Sequence, residues 1–317
     1  MTVNTDKIKP DWAGDDFLSR LVNLLIKTKP IYSIMKRQAR QVLIETAEKN
    51  GIPWRKNYQE LEASGIRELY SVIANPDIQY PDYYRVPFHA YDRGNLCWQA
   101  AFEAESATQS MGLRVWKNEP NLTWQTAQQR LRGSFHQVLA PYTTAPVKDI
   151  LDIGCSVGIS TEELHNYFCQ KQDTPINTIG LDLSPYMLAV ASQRNTEQAI
   201  RWVHGNGEKT DFADNSFDLV TLQFLIHELP RYATKSIFHE VKRILRPNGV
   251  IAIVDNNPSS SVIQNLPPVL FTLMKSTEPW SDDYYTFDVE KALQDIGFNY
   301  QTTVESDPRH RTIIATN

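Results

Sequence analysis

The apolar positions of the first 140 residues recur at helical spacing, with polar residues between them. Pro30 separates the first two predicted helices, and Gly51 is a plausible end for the second. The four apolar stretches are Phe17, Leu21, Leu24 and Leu25; Met35, Ala39, Val42 and Leu43; Cys97, Ala100, Ala101 and Ala104; and Leu131, Phe135, Val138 and Leu139. The pattern predicts a helical N-terminal extension over residues 1–140.

Beyond residue 148 the pattern changes to short apolar runs that alternate with amphipathic segments. The runs lie at 150–153, 176–181, 199–204, 217–222 and 250–254, and helices are predicted from about Ser184 and about residue 232. Two more runs, at 298–306 and 311–317, predict a closing hairpin. Such alternation is typical of a doubly wound α/β sheet, mostly parallel, with ligands beyond the carboxyl ends of its strands. We therefore predict one α/β domain over residues 141–317.

A glycine turn follows the first of these strands, in the segment DILDIGCSVGIS at 149–160. Gly154 permits a close approach of backbone to ligand, and the helix that Gly158 opens offers unpaired N–H groups. Dinucleotides and S-adenosylmethionine (SAM) are the two ligand classes that compete for such a turn. A dinucleotide fingerprint places a glycine where Ser156 stands, which weakens the nicotinamide interpretation. A buried strand and turn with no ligand is the remaining alternative.

The composition and net charge of the chain limit the classes of molecule that we expect it to bind. The chain of 317 residues is 41% hydrophobic and 22% charged with a formal net charge of −5, so we expect a small-molecule ligand and no nucleic acid. Cys97, Cys155 and Cys169 are odd in number and lack Cys-x-x-Cys spacing, which predicts neither disulfides nor a metal site. No signal peptide or apolar run near 18 residues is present, and we expect a cytoplasmic protein without a membrane span.

Residues 148–256 resemble class I SAM-dependent methyltransferases, similar to the small-molecule type of ubiquinone and menaquinone biosynthesis. The first motif is an acidic residue and G-x-G-x-G, matched by Asp152, Gly154, Ser156 and Gly158. RILRPNGVIAIVD, at 243–255, matches the family's L-[KR]-P-G-G turn with Asn248 in place of one glycine. The resemblance implies a Rossmann-like sheet of seven strands with the last one antiparallel. The N-P-P-[YF] signature of amino-methylating DNA enzymes is absent.

The resemblance also implies SAM as the cofactor and a set of residues that bind it. Asp182 matches the acidic residue that accepts from both ribose hydroxyls, while Ser184 is better placed to cap the next helix. Asn206 and Gly207 lie where the family holds adenine, and Gln223 lies near the methionine part. The complete predicted cofactor set is Asp152, Gly154, Cys155, Ser156, Gly158, Asp182, Leu183, Met187, Asn206, Gly207 and Gln223.

The segment TLQFLIHELP, at 221–230, lies where this family places residues that face the methyl group. We expect His227 to take a proton from the substrate, because imidazole titrates near neutrality, and Glu228 to orient His227. A hydrogen-bonded core histidine and a solvated glutamate are the alternatives. Methyl transfer is an in-line displacement in which alignment supplies much of the acceleration, so a strong base is not required.

Aromatic residues supply the candidate substrate surface. Residues 80–98 are dense in rings and interrupted by Pro and Gly, and we expect Tyr84, His89 and Tyr91 to close over the cofactor, with a packed linker as the alternative. Trp280 and Tyr285 are further candidates in an insertion after the fifth strand. His310 lies in the turn of the closing hairpin, either near the pocket or in solvent.

The leading hypothesis from the sequence is SAM-dependent methyl transfer to a small aromatic or hydrophobic metabolite. The acceptor atom stays open among oxygen, nitrogen and carbon, because the fold serves all three and function depends on the site. The oligomeric state is also open. An NAD(P)-dependent oxidoreductase and a catalytically silent SAM-binding protein are the alternatives.

Overall fold

The computed structural model describes residues 20–21, 24, 29–195, 199–268, 272, 274 and 276–317. The predicted helix positions Phe17 and Leu25 lie outside the described residues. The α-helices include α1 (Lys29–Lys49), α2 (Trp54–Ala63), α3 (Leu69–Ile73), α4 (Trp98–Val115), α5 (Trp124–Leu139), α6 (Ile159–Lys171), α7 (Pro185–Arg194), α8 (Arg231–Ile244), α9 (Ser261–Gln264), α10 (Ser281–Tyr285) and α11 (Val289–Ile296). Within these described ranges no helix is long and apolar enough to cross a bilayer.

Seven strands form one sheet in the order β3-β2-β1-β4-β5-β7-β6. They are β1 (Asp149–Ile153), β2 (Asn177–Asp182), β3 (Ile200–His204), β4 (Phe217–Gln223), β5 (Leu245–Asn256), β6 (Asn299–Glu305) and β7 (His310–Thr316). Neighbouring strands are parallel except that β7 is antiparallel to β5 and β6. This confirms the predicted fold class. The strand order reverses between β1 and β4, which is where a doubly wound sheet opens its ligand crevice.

Both faces of the sheet are covered, because successive side chains of a strand point to opposite sides. Leu151 of β1 belongs to a buried cluster with Ile237 and Val241 of α8. Its neighbour Ile150 belongs to a second cluster with Phe135 of α5. The central strands therefore read as continuous apolar runs, as the sequence predicted, and their polar side chains gather at the strand ends.

The helices before β1 share core with the sheet region. Phe102 of α4 packs in one buried cluster with Met187 and Val190 of α7 and with Val157 after β1. Gly51, with φ 79°, follows α1 as predicted from its spacing. The division of the chain at residue 140 stays a prediction, and the shared cluster places α4 against the ligand side of the sheet.

Candidate functional site

The turn between β1 and α6 has a left-handed backbone at three positions. Gly154, Ser156 and Gly158 have φ of 75°, 50° and 84°. A Cβ on Gly154 would lie 2.6 Å from Leu225 Cδ1, so packing also requires glycine there. Ser156 stands where the G-x-G-x-G motif has its middle glycine, and it adopts a left-handed conformation like those of Gly154 and Gly158.

A cavity of about 750 Å³ opens beside this turn at the carboxyl ends of β1, β2 and β4. Its wall contains most of the predicted site residues. From the cofactor set they are Asp152, Gly154, Cys155, Ser156, Asp182, Leu183, Met187, Asn206, Gly207 and Gln223, and from the other sets Tyr84, His89, Tyr91, His227, Glu228 and His310. The tertiary structure thus brings residues from both halves of the chain around one space.

Three predicted site residues lie outside the wall of this cavity. Gly158 is the N-terminal cap of α6, where a Cβ would lie 2.5 Å from the Trp202 ring. Tyr285 is 7% exposed and packs edge-on against Tyr284, while Trp280 Nε1 donates to the carbonyl of Tyr83 at 3.4 Å. The expectation that Trp280 and Tyr285 face the substrate is therefore corrected, because packing and hydrogen bonding hold both rings elsewhere.

Asp152 ties β1 to its neighbours from the floor of the cavity. Its carboxylate accepts hydrogen bonds from Thr161 Oγ1 and Thr221 Oγ1, both at 2.6 Å, and from Gln223 Nε2 at 3.3 Å. Burial raises the pKa of Asp152, and these three donors oppose the rise. The donors come from α6 and β4, so Asp152 holds the turn in register with the sheet and places Gln223 in the wall.

Asp182 ends β2 opposite the glycine turn. Its carboxylate accepts from the backbone N–H of Ser156 at 2.8 Å and of Ser184 at 2.7 Å. Burial raises the pKa of Asp182 to about 6, and the two backbone donors oppose the rise. Ser184 caps α7 through its Oγ, which accepts from the N–H of Met187, as the sequence predicted. The acidic side chain is thus left to face the cavity.

The loop after β3 carries the predicted adenine contacts. Asn206 Oδ1 accepts from the N–H of Glu208 at 2.9 Å and so orders the turn from within. A Cβ on Gly207 would lie 2.6 Å from Ile153 Cγ2, which explains glycine at this position. Leu183 and Met187 supply apolar wall on the same side. The missing side chain lets the loop pack directly against Ile153 of β1, while Asn206 and Gly207 both line the cavity.

Arg132 of α5 is a cavity residue that the sequence analysis missed. Its side chain is 4% exposed and lies over the Phe224 ring at 5.3 Å, and its Nε and Nη1 have no hydrogen-bond partner among the described residues. Burial lowers the pKa of Arg132 to about 10, so the group stays cationic at neutral pH. The available signal was an arginine beside Leu131 on the apolar face of a predicted helix. A buried cation with unpaired donors suits an anionic ligand group.

His227 is held by Asp255 rather than by Glu228. Its Nδ1 lies 2.7 Å from Asp255 Oδ1, and its backbone N–H donates to Asp255 Oδ2 at 3.2 Å. Burial alone would lower the pKa of His227, but the carboxylates of Asp255 and Glu228 outweigh it and raise that pKa to about 9. The expectation that Glu228 orients His227 is corrected, because Nδ1 of the His227 ring is paired with the carboxylate of Asp255, at the end of β5.

Glu228 reaches instead toward the segment that crosses the cavity. Its carboxylate accepts from Asn95 Nδ2 at 3.3 Å and lies 3.8 Å from His89 Nε2. Burial raises the pKa of Glu228 to about 8, and nearby carboxylates add to the rise. The His89 side chain is 41% exposed, and the surrounding cavity wall and the charge of His227 lower its pKa. Glu228 is therefore a half-buried group of the site and not a solvated one.

Residues 80–98 form an irregular segment, as predicted, with a short 3-10 turn at Asp82–Tyr84. Tyr91 donates from its hydroxyl to Glu103 Oε2 at 2.6 Å, and Glu103, 1% exposed, also pairs with Arg40 of α1. This chain of contacts anchors the segment to α1 and α4. Tyr91, Glu103 and Arg40 all line the cavity.

The β6–β7 turn lies on the ligand side. His310 is buried, its Nδ1 pairs with Asp307 at 2.9 Å, and its ring meets Phe224 edge-on. Arg309 Nε donates to Asn256 Oδ1 at 2.9 Å, and both Arg309 and His310 line the cavity. Of the two alternatives for this turn, the pocket side is the observed one.

Comparison with known proteins finds similarity in the central part of the chain. Residues 151–253 match the family model described as a methyltransferase domain. An uncharacterised methyltransferase of Synechocystis sp. is 33% identical over 145 residues, which cover 45% of this chain and 64% of the relative. Demethylmenaquinone methyltransferase of Listeria monocytogenes is 37% identical over 112 residues, which cover 34% of this chain and 45% of the relative. The chain thus spans less than two thirds of the length of these relatives.

Solved structures of similar fold include a SAM-dependent methyltransferase from Aquifex aeolicus. It has 18% sequence identity and a TM-score of 0.45, and the match covers 65% of this chain and 97% of that one. The helices before β1 lie outside residues 151–253, to which the family model is confined. The predicted resemblance to methyltransferases is confirmed over residues 151–253.

Proposed function

We propose that this chain, whose residues 151–253 match a methyltransferase domain, is a class I SAM-dependent enzyme that transfers the methyl group of SAM to a small metabolite. The observation that carries the proposal is the pairing of the glycine turn with Asp182. The Ser156 N–H donates to the Asp182 carboxylate at 2.8 Å across the mouth of the cavity. The backbone N–H groups of Ser156 and Ser184 fix this carboxylate, and its remaining lone pairs are acceptors for the hydroxyls of a ribose bound beside it.

The remaining parts of SAM find partners along the same wall. Asn206 and Gly207 line the cavity where we place the adenine, and Gln223 and Arg132 line it where the methionine end would reach. A buried guanidinium with donors that lack hydrogen-bond partners among the described residues is costly, and a carboxylate is the group whose geometry fits it best. We place the methionine carboxylate of SAM at Arg132.

The acceptor would approach from the side of residues 80–98. The rings of Tyr84 and Tyr91 and the apolar side chains of α4 line that side, which suits a hydrophobic or aromatic metabolite. The relative named for demethylmenaquinone supports a ring-bearing apolar acceptor. His227 and Glu228 face the same space and are the residues we propose next to the transferred methyl group.

Binding and turnover test the proposal directly. Isothermal calorimetry should detect SAM and not NAD, and cell-extract metabolites incubated with the protein and methyl-deuterated SAM should gain a trideuteromethyl label. Binding of NAD without SAM would favour the oxidoreductase alternative. Binding of SAM without labelled product or S-adenosylhomocysteine would favour a catalytically silent SAM-binding protein.

SAM affinity should depend on the protonation of Asp182. With a pKa of about 6, the carboxyl is ionised above that pH and loses acceptor capacity below it. We expect the Kd for SAM to rise as pH falls through 6, by up to roughly tenfold per pH unit. Asp152, Tyr84 and Glu228 are the titratable groups that surround it.

The control for this pH dependence is Asp182→Asn, which removes the titrating group. Calorimetry between pH 5 and 7.5 should show weak, nearly pH-independent SAM binding in this variant. An equally steep dependence in Asp182→Asn would assign the titration to another group and contradict the ribose contact.

Substitution of Tyr91 tests the acceptor side. Tyr91→Ala removes a ring whose burial is worth about 1.5–3 kcal/mol, so we expect kcat/KM for the acceptor to fall roughly 10- to 100-fold with little change in the Kd for SAM. Tyr91→Phe is the matched control, because it keeps the ring and removes only the bond to Glu103. Full activity of Tyr91→Ala would mean that the segment only packs.

A further inference from the structure

Three metal-ligand side chains converge in the cavity from distant parts of the chain. His89, His227 and Glu228 each offer one ligand atom, and these atoms lie within 4.8 Å of one another. His89 comes from the irregular segment over the cavity, and the other two come from the 3-10 turn Ile226–Glu228 after β4. The sequence analysis predicted no metal site, since it relied on cysteine spacing.

The outer contacts of this cluster match those of metal-binding histidines. Such a histidine usually gives one ring N–H to a carboxylate, which fixes the tautomer and turns the other nitrogen toward the ion. Asp255 Oδ1, 2.7 Å from His227 Nδ1, is that carboxylate, and Nε2 is the nitrogen that remains for an ion. Asp255 also accepts from the backbone N–H groups of His227 and Asn256, so its position is well determined.

His89 is held toward the cluster by an unfavourable backbone. His89 and Ala90 have φ of 48° and 66°, a left-handed conformation that residues other than glycine rarely adopt. The N–H of His89 donates to the Thr277 carbonyl at 2.8 Å, and Phe88 forms a bridge with Tyr91, which together maintain this conformation. Strain of this kind is concentrated at binding and catalytic sites.

We propose that His89, His227 and Glu228 bind a divalent first-row transition metal ion in the acceptor half of the cavity. Two imidazoles and one carboxylate are a donor set for Zn²⁺, Fe²⁺, Mn²⁺ or Co²⁺. Donors about 2.1 Å from one ion lie roughly 3–3.5 Å apart, so the cluster contracts by about an ångström on binding. The ion takes the place of a proton on His227 Nε2.

The ion would give the site an acceptor-binding role, and this part rests on the proposed methyl transfer. Three protein ligands leave coordination positions open, and a hydroxyl oxygen of the acceptor binds there as it loses its proton to solvent. A lone pair of that oxygen forms the new bond to the methyl carbon, the carbon–sulfur bond breaks, and its electron pair stays on the sulfur of S-adenosylhomocysteine. The metal keeps its oxidation state, and the acceptor class is a hydroxylated metabolite.

Metal binding can be measured without any turnover. Chelator-treated protein without a histidine tag is titrated with Co²⁺, with calorimetry and visible absorption as readouts. We expect one equivalent with a ligand-field absorption band, and at least tenfold weaker binding in His89→Ala and Glu228→Gln. His239→Ala removes an exposed histidine of α8 and is the control that should bind as the unmodified chain does.

Asp255→Asn separates a metal site from a merely structural cluster. Loss of the carboxylate behind His227 should weaken Co²⁺ by roughly 10- to 100-fold while SAM affinity changes little. No saturable Co²⁺ binding, or equal binding in Glu228→Gln and the unmodified chain, would overturn the metal site. Failure of the unmodified chain to bind SAM would instead overturn the proposed function, and the Co²⁺ readout would stand on its own.

Discussion

Arg132→Met should weaken SAM binding by about 2–3 kcal/mol, roughly 30- to 150-fold in Kd, because a buried charge-assisted pair with the methionine carboxylate is lost. The same change should leave the melting temperature of the SAM-free protein equal or higher. Arg132 is 4% exposed with unpaired Nε and Nη1, and replacing a buried unsatisfied ion by an apolar side chain is often neutral or stabilising. A loss of SAM affinity together with an equal or higher melting temperature is the result expected for a cation that binds ligand.

Arg132→Lys is the matched control for this prediction. It keeps the positive charge but lacks the two-pronged guanidinium, so we expect an intermediate SAM affinity. Calorimetry gives the Kd, and thermal unfolding without ligand gives the stability. A large fall in melting temperature with unchanged SAM affinity would make Arg132 a structural residue and place the methionine carboxylate elsewhere.

Asp152→Ala should lower the free energy of unfolding by about 3 kcal/mol or more, because it leaves buried donors of Thr161, Thr221 and Gln223 without their acceptor. These bonds join β1 to α6 and β4 beneath the glycine turn. Loss of the acceptor therefore loosens the turn as well as the core. We expect the melting temperature to fall by roughly 6 °C or more and SAM affinity to fall with it.

Two variants serve as controls for the Asp152 prediction. Asp152→Asn keeps one carbonyl acceptor and should lose less stability than Asp152→Ala. Asp211→Ala removes an exposed carboxylate and should change the unfolding free energy by no more than about 0.5 kcal/mol. Chemical denaturation of the three variants gives the ranking. Equal stability of Asp152→Ala and the unmodified chain would show that the three donors find other partners.

The local backbone of the site was predictable because it depends on neighbouring residues. The apolar run 150–153 followed by Gly154 predicted a strand and a left-handed turn, and both are present. Ser156 and Asn248 replace glycines of the family motifs and still adopt φ of 50° and 64°. Ser184 was predicted to cap α7, and it does so. Periodicity and the steric limits of φ act over a few residues, and the sequence states them directly.

The composition of the cavity wall depended on contacts between distant residues. Trp280 and Tyr285 looked like pocket residues by type, and packing against Tyr83 and Tyr284 holds them elsewhere. Glu228 follows His227 directly in the sequence, yet Asp255 orients the imidazole. A residue type tells what a side chain can bind, and neighbours from other elements decide what it does bind.

The sequence by itself determined the alternation of strands and helices, the glycine turn and the acidic residues at the ends of β1 and β2. Only the tertiary structure decided that Arg132 is buried beside the cavity, with Nε and Nη1 lacking a hydrogen-bond partner in the described part of the chain, and that His89 meets His227 and Glu228. The physical reason is the distance along the chain over which each interaction acts. Strand periodicity and turn conformation follow from adjacent residues, whereas the meeting of α5, the irregular segment and the β4 loop follows from how the whole chain buries its apolar surface.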